Sequence, residues 1–324
     1  MRRTALARLL WLLMALCVPT IALGQQYPTK TIRIVAPYAP GGGVDLVARL
    51  IADQLSKSLG QGVIVENRPG AAGTIGAALV AKARADGHTL LLGTIATHGI
   101  APSLYPSLPY DAQKDFTPIS LLVTQPNVLA VHPALGARSV ADLIRLAKAK
   151  PGTIAYASSG SGTTLHLSGA LFEVAAGVQL VHVPYKGSAP ALIDLLSGQV
   201  QIIFDNLATA LPHIQAGKLT PLAVTSSSRT ARLPGVPTMQ EAGLPGYEVT
   251  SWYALYAPAH TPPAVAQRLN TEVRKAVASP AVAERLREQG LQPAPGSAAQ
   301  LAELTRAEIA KWARVVEQAA VALE

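Results

Sequence analysis

Short β-branched runs alternate with amphipathic helical runs along most of the chain. No other feature of the sequence restricts the fold as much. Thr31 to Ala36 reads as a strand and is followed by the loop Pro37-Tyr38-Ala39-Pro40-Gly41-Gly42-Gly43. Val44, Val47, Ile51 and Leu55 then recur at helical spacing. Val63 to Glu66 predicts a second strand, Thr74 to Arg84 a helix, and His88 to Gly93 a third strand. Ile119 to His132 is strand-like, with an interruption expected at Pro126. Beyond it, strands are expected at Thr153 to Ala157, Gln179 to Val183, Gln199 to Phe204 and Leu219 to Thr225. Helices are expected at Val140 to Lys148, Thr164 to Ala176 and Ala189 to Leu196. Strands separated by helices mean βαβ units and mostly parallel sheets covered on both faces. One such set precedes Pro126 and another follows it, so the expected architecture is two α/β domains.

The C-terminal region departs from the alternation. Thr250 to Ala257 predicts one strand, followed by helices at Pro263 to Ala278, Ala281 to Gln289 and Ala299 to Ala320. Leu301, Leu304, Ile309, Trp312 and Val316 form an apolar stripe on the last helix, which the sheet of the first domain can cover. The chain is then expected to begin and end in one domain: residues 25–126 and 249–324 form the first and 127–248 the second, inserted domain. Two crossovers, near Pro126 and near Tyr247 to Thr250, make the hinge.

The first 24 residues read as a secretory signal. Arg2, Arg3 and Arg8 precede an uncharged apolar stretch from Leu9 to Leu23, and Ala22-Leu23-Gly24 predicts cleavage before Gln25. The stretch is short of the roughly 20 residues a membrane span requires. Cys17 follows Leu16, where lipidation needs a small residue, and it is the chain's one cysteine. The mature chain therefore has neither a disulfide framework nor thiolate chemistry. The formal charge of +8 falls to about +5 without the signal arginines. The remaining basic residues are scattered and aromatics are 5% of the chain, which is not the footprint of a nucleic-acid binder.

Four constellations lie where strands hand over to helices, the position at which open α/β sheets bind ligands. The first is Tyr38, Ala39, Pro40, Gly41 and Gly42 with Asp45. Its glycines let a ligand approach the backbone, and free N–H groups at the following helix favour an anion. It is not a dinucleotide fingerprint, because Leu46 stands where the third glycine belongs. The second runs from Tyr156 to His166 and includes Ser158, Gly160, Ser161, Thr163 and Thr164. A hydrolase would take a serine here as nucleophile with His166 as base, but Ser159 replaces the glycine that the elbow G-x-S-x-G needs before Ser161. The third is His182 to Gly187, with Lys186, and the fourth is Phe204-Asp205-Asn206. Thr94, after the third strand, is a further candidate for ligand contact. The seven histidines show no metal-ligand spacing, so neither metal nor cofactor is expected.

These segments resemble the Bug family, the substrate-binding receptors of tripartite tricarboxylate transporters. The resemblance is carried by Ile34 to Asp45 (IVAPYAPGGGVD), Val65 to Gly76 (VENRPGAAGTIG), Asp86 to Leu92 (DGHTLLL) and Leu108 to Phe116 (LPYDAQKDF). It continues through Tyr156 to Leu167, His182 to Leu196 (HVPYKGSAPALIDLL), Gly217 to Thr225, Leu233 to Gly246 and Lys311-Trp312. It implies a type II periplasmic-binding-protein fold with an interdomain cleft. The Pro40 to Gly42 loop and the Ser158 to Thr164 loop would clamp a carboxylate between backbone groups and water. It also implies a small organic acid or amino acid as ligand, membrane transporter subunits as partners, a monomeric state and no catalysis. A receptor feeding a membrane sensor kinase and an exported hydrolase are the alternatives. Tyr38 stands where the family most often has Phe, and His88 where it usually has Tyr.

Overall fold

The computed structural model describes residues 27–318; the expected signal peptide and its cleavage site lie outside the described residues. Strand β1 (Ile32–Ala36) is buried at Ile32, Ile34, Val35 and Ala36. Helix α1 (Gly43–Leu59) turns Val44, Val47, Ile51 and Leu55 inward and stops at Gly60, whose left-handed φ of 67° lets its N–H donate to Ser56 O. Strand β2 (Val63–Asn67), helix α2 (Thr74–Ala81) and strand β3 (Thr89–Thr94) complete the first set. A wide helical turn at Ala96–Ile100 and the short helix α3 (Ala101–Leu104) lead into β4 (Phe116–Val131).

The second set comprises α4 (Val140–Ala149), β5 (Ala155–Ser158), α5 (Thr164–Ala176), β6 (Val181–Pro184), α6 (Ser188–Leu196), β7 (Ile202–Asn206), α7 (Leu207–Gln215) and β8 (Thr220–Val224). Strand β9 (Thr250–Pro258), helices α8 (Pro263–Ala278) and α9 (Pro280–Glu288), the short strand β10 (Gln292–Pro293) and helix α10 (Ala298–Gln318) follow. The strands hydrogen-bond in the order β2-β1-β3-β9-β4-β7-β5-β6, with β8 and β10 also paired to β4.

Two expectations need correction. The strand is not interrupted at Pro126: β4 runs through it for 16 residues. Pro126 sits where β4 changes partner, from β9 (Pro126 opposite Thr250) to β7 (Asn127 opposite Asn206), so the absent N–H falls at a junction between ladders. Nor are the strand pairings mostly parallel, contrary to expectation. The pairs β1–β2, β1–β3, β5–β6 and β5–β7 are parallel, but β4 runs antiparallel to β9, β7 and β8, and β9 antiparallel to β3. The central strands β4 and β9 belong to no βαβ unit, so nothing obliges them to run parallel to their neighbours.

Helix α10 packs on β4 and on the turn at Ala96–Ile100. It buries Leu301 and Trp312 in a cluster with Val35, Phe116 and Tyr256, and Trp312 Nε1 donates to Glu308 at 2.7 Å. Helix α10 therefore covers the sheet that the N-terminal strands build. The carboxyl ends of β1, β3, β5 and β7 all open toward one place.

Candidate ligand-binding site

At that place is a chamber that opens to solvent; the atom-free space in and above it, open solvent included, is about 440 Å³. Four helix N-termini reach it. Gly42, Gly43 and Val44 line it from the start of α1, and Thr163, Thr164 and Leu165 from the start of α5. Ser188 is the first residue of α6, and Asn206 is the residue immediately before α7. First-turn N–H groups lack partners inside their helix and carry the positive end of its dipole. In α1 and α5 the first helical bonds are Leu46 N–H to Gly42 O and Leu167 N–H to Thr163 O, at 3.0 Å each. Tyr38, Ala39, Thr94, Ile95, Ala96, Ser159, Ser251 and Tyr253 complete the wall. Among the described residues, no side chain that lines the chamber is charged.

The remaining expected residues lie around the chamber and not on its wall. Asp45 is 5% exposed and holds the loop from outside. Its carboxylate accepts Gly41 N–H at 3.0 Å, Arg49 Nε at 2.9 Å and Asn67 Nδ2 at 3.0 Å. Burial alone would raise its pKa, but these donors hold it below the usual value. Pro40 and Gly41 are exposed on the loop's outer side. Gly160, Ser161 and Lys186 border a neighbouring cavity that meets the chamber at Tyr38 and Ser159. Asp205 is fully buried behind Ser188, whose hydroxyl it accepts at 2.6 Å. The Tyr38 hydroxyl donates to Ala72 O at 2.9 Å and faces Thr94 Oγ1 at 3.3 Å, so its polarity is directed at the protein itself.

Ser158 and His166 support the second loop from beneath. Ser158 Oγ lies 2.7 Å from His182 Nε2 and accepts Gly160 N–H at 3.2 Å. The His166 ring stacks on His182 with centroids 4.0 Å apart, and its Nδ1 accepts Gly162 N–H at 3.1 Å. Burial lowers both histidines, to about 4 for His166 and about 3 for His182, with the His166 charge adding to the second. The Ser158–His182 contact has the distance of a nucleophile–base pair, but Ser158 is 0% exposed.

Sequence reasoning missed the floor of the chamber. Tyr253 and Ser251 on β9, Gln125 and Asn127 on β4, and Asn206 form one hydrogen-bonded circuit. Gln125 Nε2 donates to Tyr253 OH at 2.6 Å, Tyr253 OH to Asn206 Oδ1 at 2.5 Å, and Asn206 Nδ2 to Asn127 Oδ1 at 2.7 Å. Ser251 Oγ joins it to Thr164 Oγ1 at 2.8 Å. Only the strand-end rule pointed here, through the constellation Phe204-Asp205-Asn206, of which Asn206 lines the chamber.

Beside the chamber the β1–α1 loop meets the β6–α6 loop, where Ala39 N–H donates to Lys186 O at 3.3 Å, and the β5–α5 loop meets α3, where a Cβ at Gly162 (φ 82°) would lie 2.8 Å from Leu104 Cδ2. A family model described as "Tripartite tricarboxylate transporter family receptor" matches residues 47–321. The chain belongs to that family. Among solved structures, it is similar to the R. palustris protein Rpa4515 with adipate: 42% identity, a TM-score of 0.89, and coverage of 91% of this chain and 99% of that one. MatC from Rhodopseudomonas palustris with bound malate is 36% identical with a TM-score of 0.86, over 90% of this chain and 100% of that one. The periplasmic binding protein BugD is 35% identical with a TM-score of 0.89, over 92% and 100%. The tripartite tricarboxylate receptors are solute-binding proteins with a two-domain α/β fold, and this chain is one of them.

Proposed function

We propose that the chain is exported, cleaved before Gln25, and captures a small organic acid in the chamber for delivery to the membrane subunits of its transporter. The observation that supports this reading is an uncharged chamber faced by the N-termini of α1 and α5, where an anion is bound by neutral donors. Adipate in Rpa4515 and malate in MatC add that receptors of the same family take carboxylates. Residues 25–126 with 249–324 form one lobe and 127–248 the other; β4 at Pro126 and the segment before Thr250 connect them. The wall residues Tyr38, Ala39, Gly42, Thr94, Thr163 and Thr164 contact the ligand, and Asp45, Ser158 and His166 hold the loops that carry them. The ligand leaves unchanged.

A thermal-shift screen of the mature protein against organic acids, amino acids and sugars tests this. An organic acid at about 100 times its dissociation constant adds about 2.7 kcal/mol of stability. Stabilisation by uncharged sugars alone would overturn the carboxylate reading, and chemical conversion of the bound acid would overturn the receptor reading.

A further inference from the structure

Asp205 is the penultimate residue of the buried strand β7 and is 0% exposed, yet no cation pairs with it among the described residues. Its Oδ1 accepts the Ser188 hydroxyl at 2.6 Å and Asn206 N–H at 2.8 Å, and its Oδ2 accepts the Thr209 hydroxyl at 2.7 Å. The Thr209 hydroxyl also lies 2.9 Å from Asn206 O. That second acceptor gives a proton on Oδ2 a place. The acid's O–H donates to Thr209 Oγ1, Thr209 turns its own proton to Asn206 O, and both bonds to Oδ1 persist. The carboxyl keeps its three hydrogen bonds whether ionised or neutral. Ser188 and Asn206, which hold it, also line the ligand chamber. A ligand anion in the chamber therefore sits one residue away from Asp205 in a buried region, where like charges repel strongly.

We propose that Asp205 is a proton-binding site coupled to the ligand site, taking up one proton on Oδ2 when an anion is captured in the chamber. This rests on reading the chamber as a carboxylate site. Burial already pushes the carboxyl up to about 6, against the opposing effect of Ser188, Thr209 and Asn206. A second negative charge moves it further in the same direction. Among the described residues no other titratable group makes contact with the carboxyl. Strand β4 carries none, and β5 contributes Tyr156. On β9 the Tyr253 phenol is raised first by burial and then by Asp205 itself. Lys186, just before α6, is exposed. On α6, Asp194 accepts the Tyr185 hydroxyl at 2.7 Å, and on α7, His213 is lowered by burial and by Lys218.

Calorimetric titration of the mature protein with adipate and with malate, in buffers of different ionisation enthalpy, counts the protons. At about pH 7 the expected result is uptake approaching one proton per acid bound. Affinity should rise up to about tenfold per unit fall in pH until the free protein's Asp205 is itself protonated. Asp205→Asn should abolish both effects, and Thr209→Val, which removes the hydroxyl that receives the proton, should diminish them. Zero uptake, or undiminished uptake in Asp205→Asn, overturns the proposal. Infrared difference spectra of the ligand-free protein between about pH 5 and pH 8 read the carboxylic C=O of Asp205 directly. If Asp205→Asn loses no such band, the proton site is wrong whatever binds. If the band is present but neither acid binds at any pH, the carboxylate reading fails and the coupling falls with it.

Discussion

Gly42 and Gly43 are adjacent, and each is glycine for a different reason. A side chain at Gly43 would begin 3.1 Å from the Tyr253 hydroxyl, so that glycine lets the start of α1 press against the chamber floor. A Cβ at Gly42 meets nothing nearer than Ala39 O at 3.9 Å, and its φ of −84° suits any residue. Gly42→Val should therefore fold with its melting temperature within a few degrees of wild type while filling the space a ligand needs. Calorimetry should find binding of adipate or malate weakened at least about a hundredfold, roughly 2.7 kcal/mol. Lys186 is exposed and borders only the neighbouring cavity, so Lys186→Ala should change affinity less than about tenfold. Normal binding by Gly42→Val with near-complete loss in Lys186→Ala would mean that an ion pair, and not the backbone, holds the acid.

The start of α5 depends on one side chain. Thr163 caps the helix: its Oγ1 accepts His166 N–H at 3.4 Å and donates to Gly160 O at 2.7 Å. One side chain thereby fixes both the first helical turn and the loop before it. Thr163→Ala should lower stability by about 1 kcal/mol, the usual cost of a lost N-cap, measurable as a shift in the urea midpoint. It should also weaken ligand binding while the other helices stay intact by circular dichroism. An unchanged affinity would show that the loop's shape does not depend on its cap. The α5 helix itself was legible from residue spacing, since Thr164 to Ala176 were expected and observed. The support beneath its loop was not. His182 reaches Ser158 from 24 residues away, because β6 pairs beside β5, and no local pattern encodes that neighbour.

Across the whole molecule, buried histidines set the response to acid. His98 is fully buried, stacks on Tyr256 at 3.9 Å and is lowered by burial to about 3; His166 and His182 stand at about 4 and about 3. All three are held neutral in the folded state while the unfolded chain protonates near pH 6.5. Each therefore contributes stability above the unfolded value that is lost as pH falls below it, by about 1.4 kcal/mol per pH unit for each group. Asp205 acts in the opposite sense. Its folded value of about 6 lies above the unfolded one, so its contribution is complete below about pH 4 and is lost as pH rises through about 6. Three groups outweigh one, so urea unfolding should show stability falling from about pH 6.5 to about pH 4.5. Asp205→Asn should make that fall steeper, and a flat profile would refute the assignment of neutral histidines.

From residue patterns the alternation of strands and helices, the return of the last helix to the first sheet, and four strand-to-helix junctions after Ala36, Ala157, Val183 and Phe204 could be read; the helices α1, α5, α6 and α7 that follow them begin at the chamber. All three follow from local periodicity and from turn residues, which act over a few positions. The resemblance carried by those loops led to the receptor family. That β4 passes unbroken through Pro126, that Ser251 and Tyr253 join Asn206 in the chamber floor, and that Asp45, Ser158, His166 and Asp205 stand behind the wall is visible only in the folded molecule. Those outcomes depend on which strands pair and which side chains are enclosed between them, contacts between residues far apart in the chain. A polar residue at a strand end reads the same in sequence whether it faces a ligand or a neighbouring hydroxyl. Burial separates the two, and burial is a property of the packed molecule.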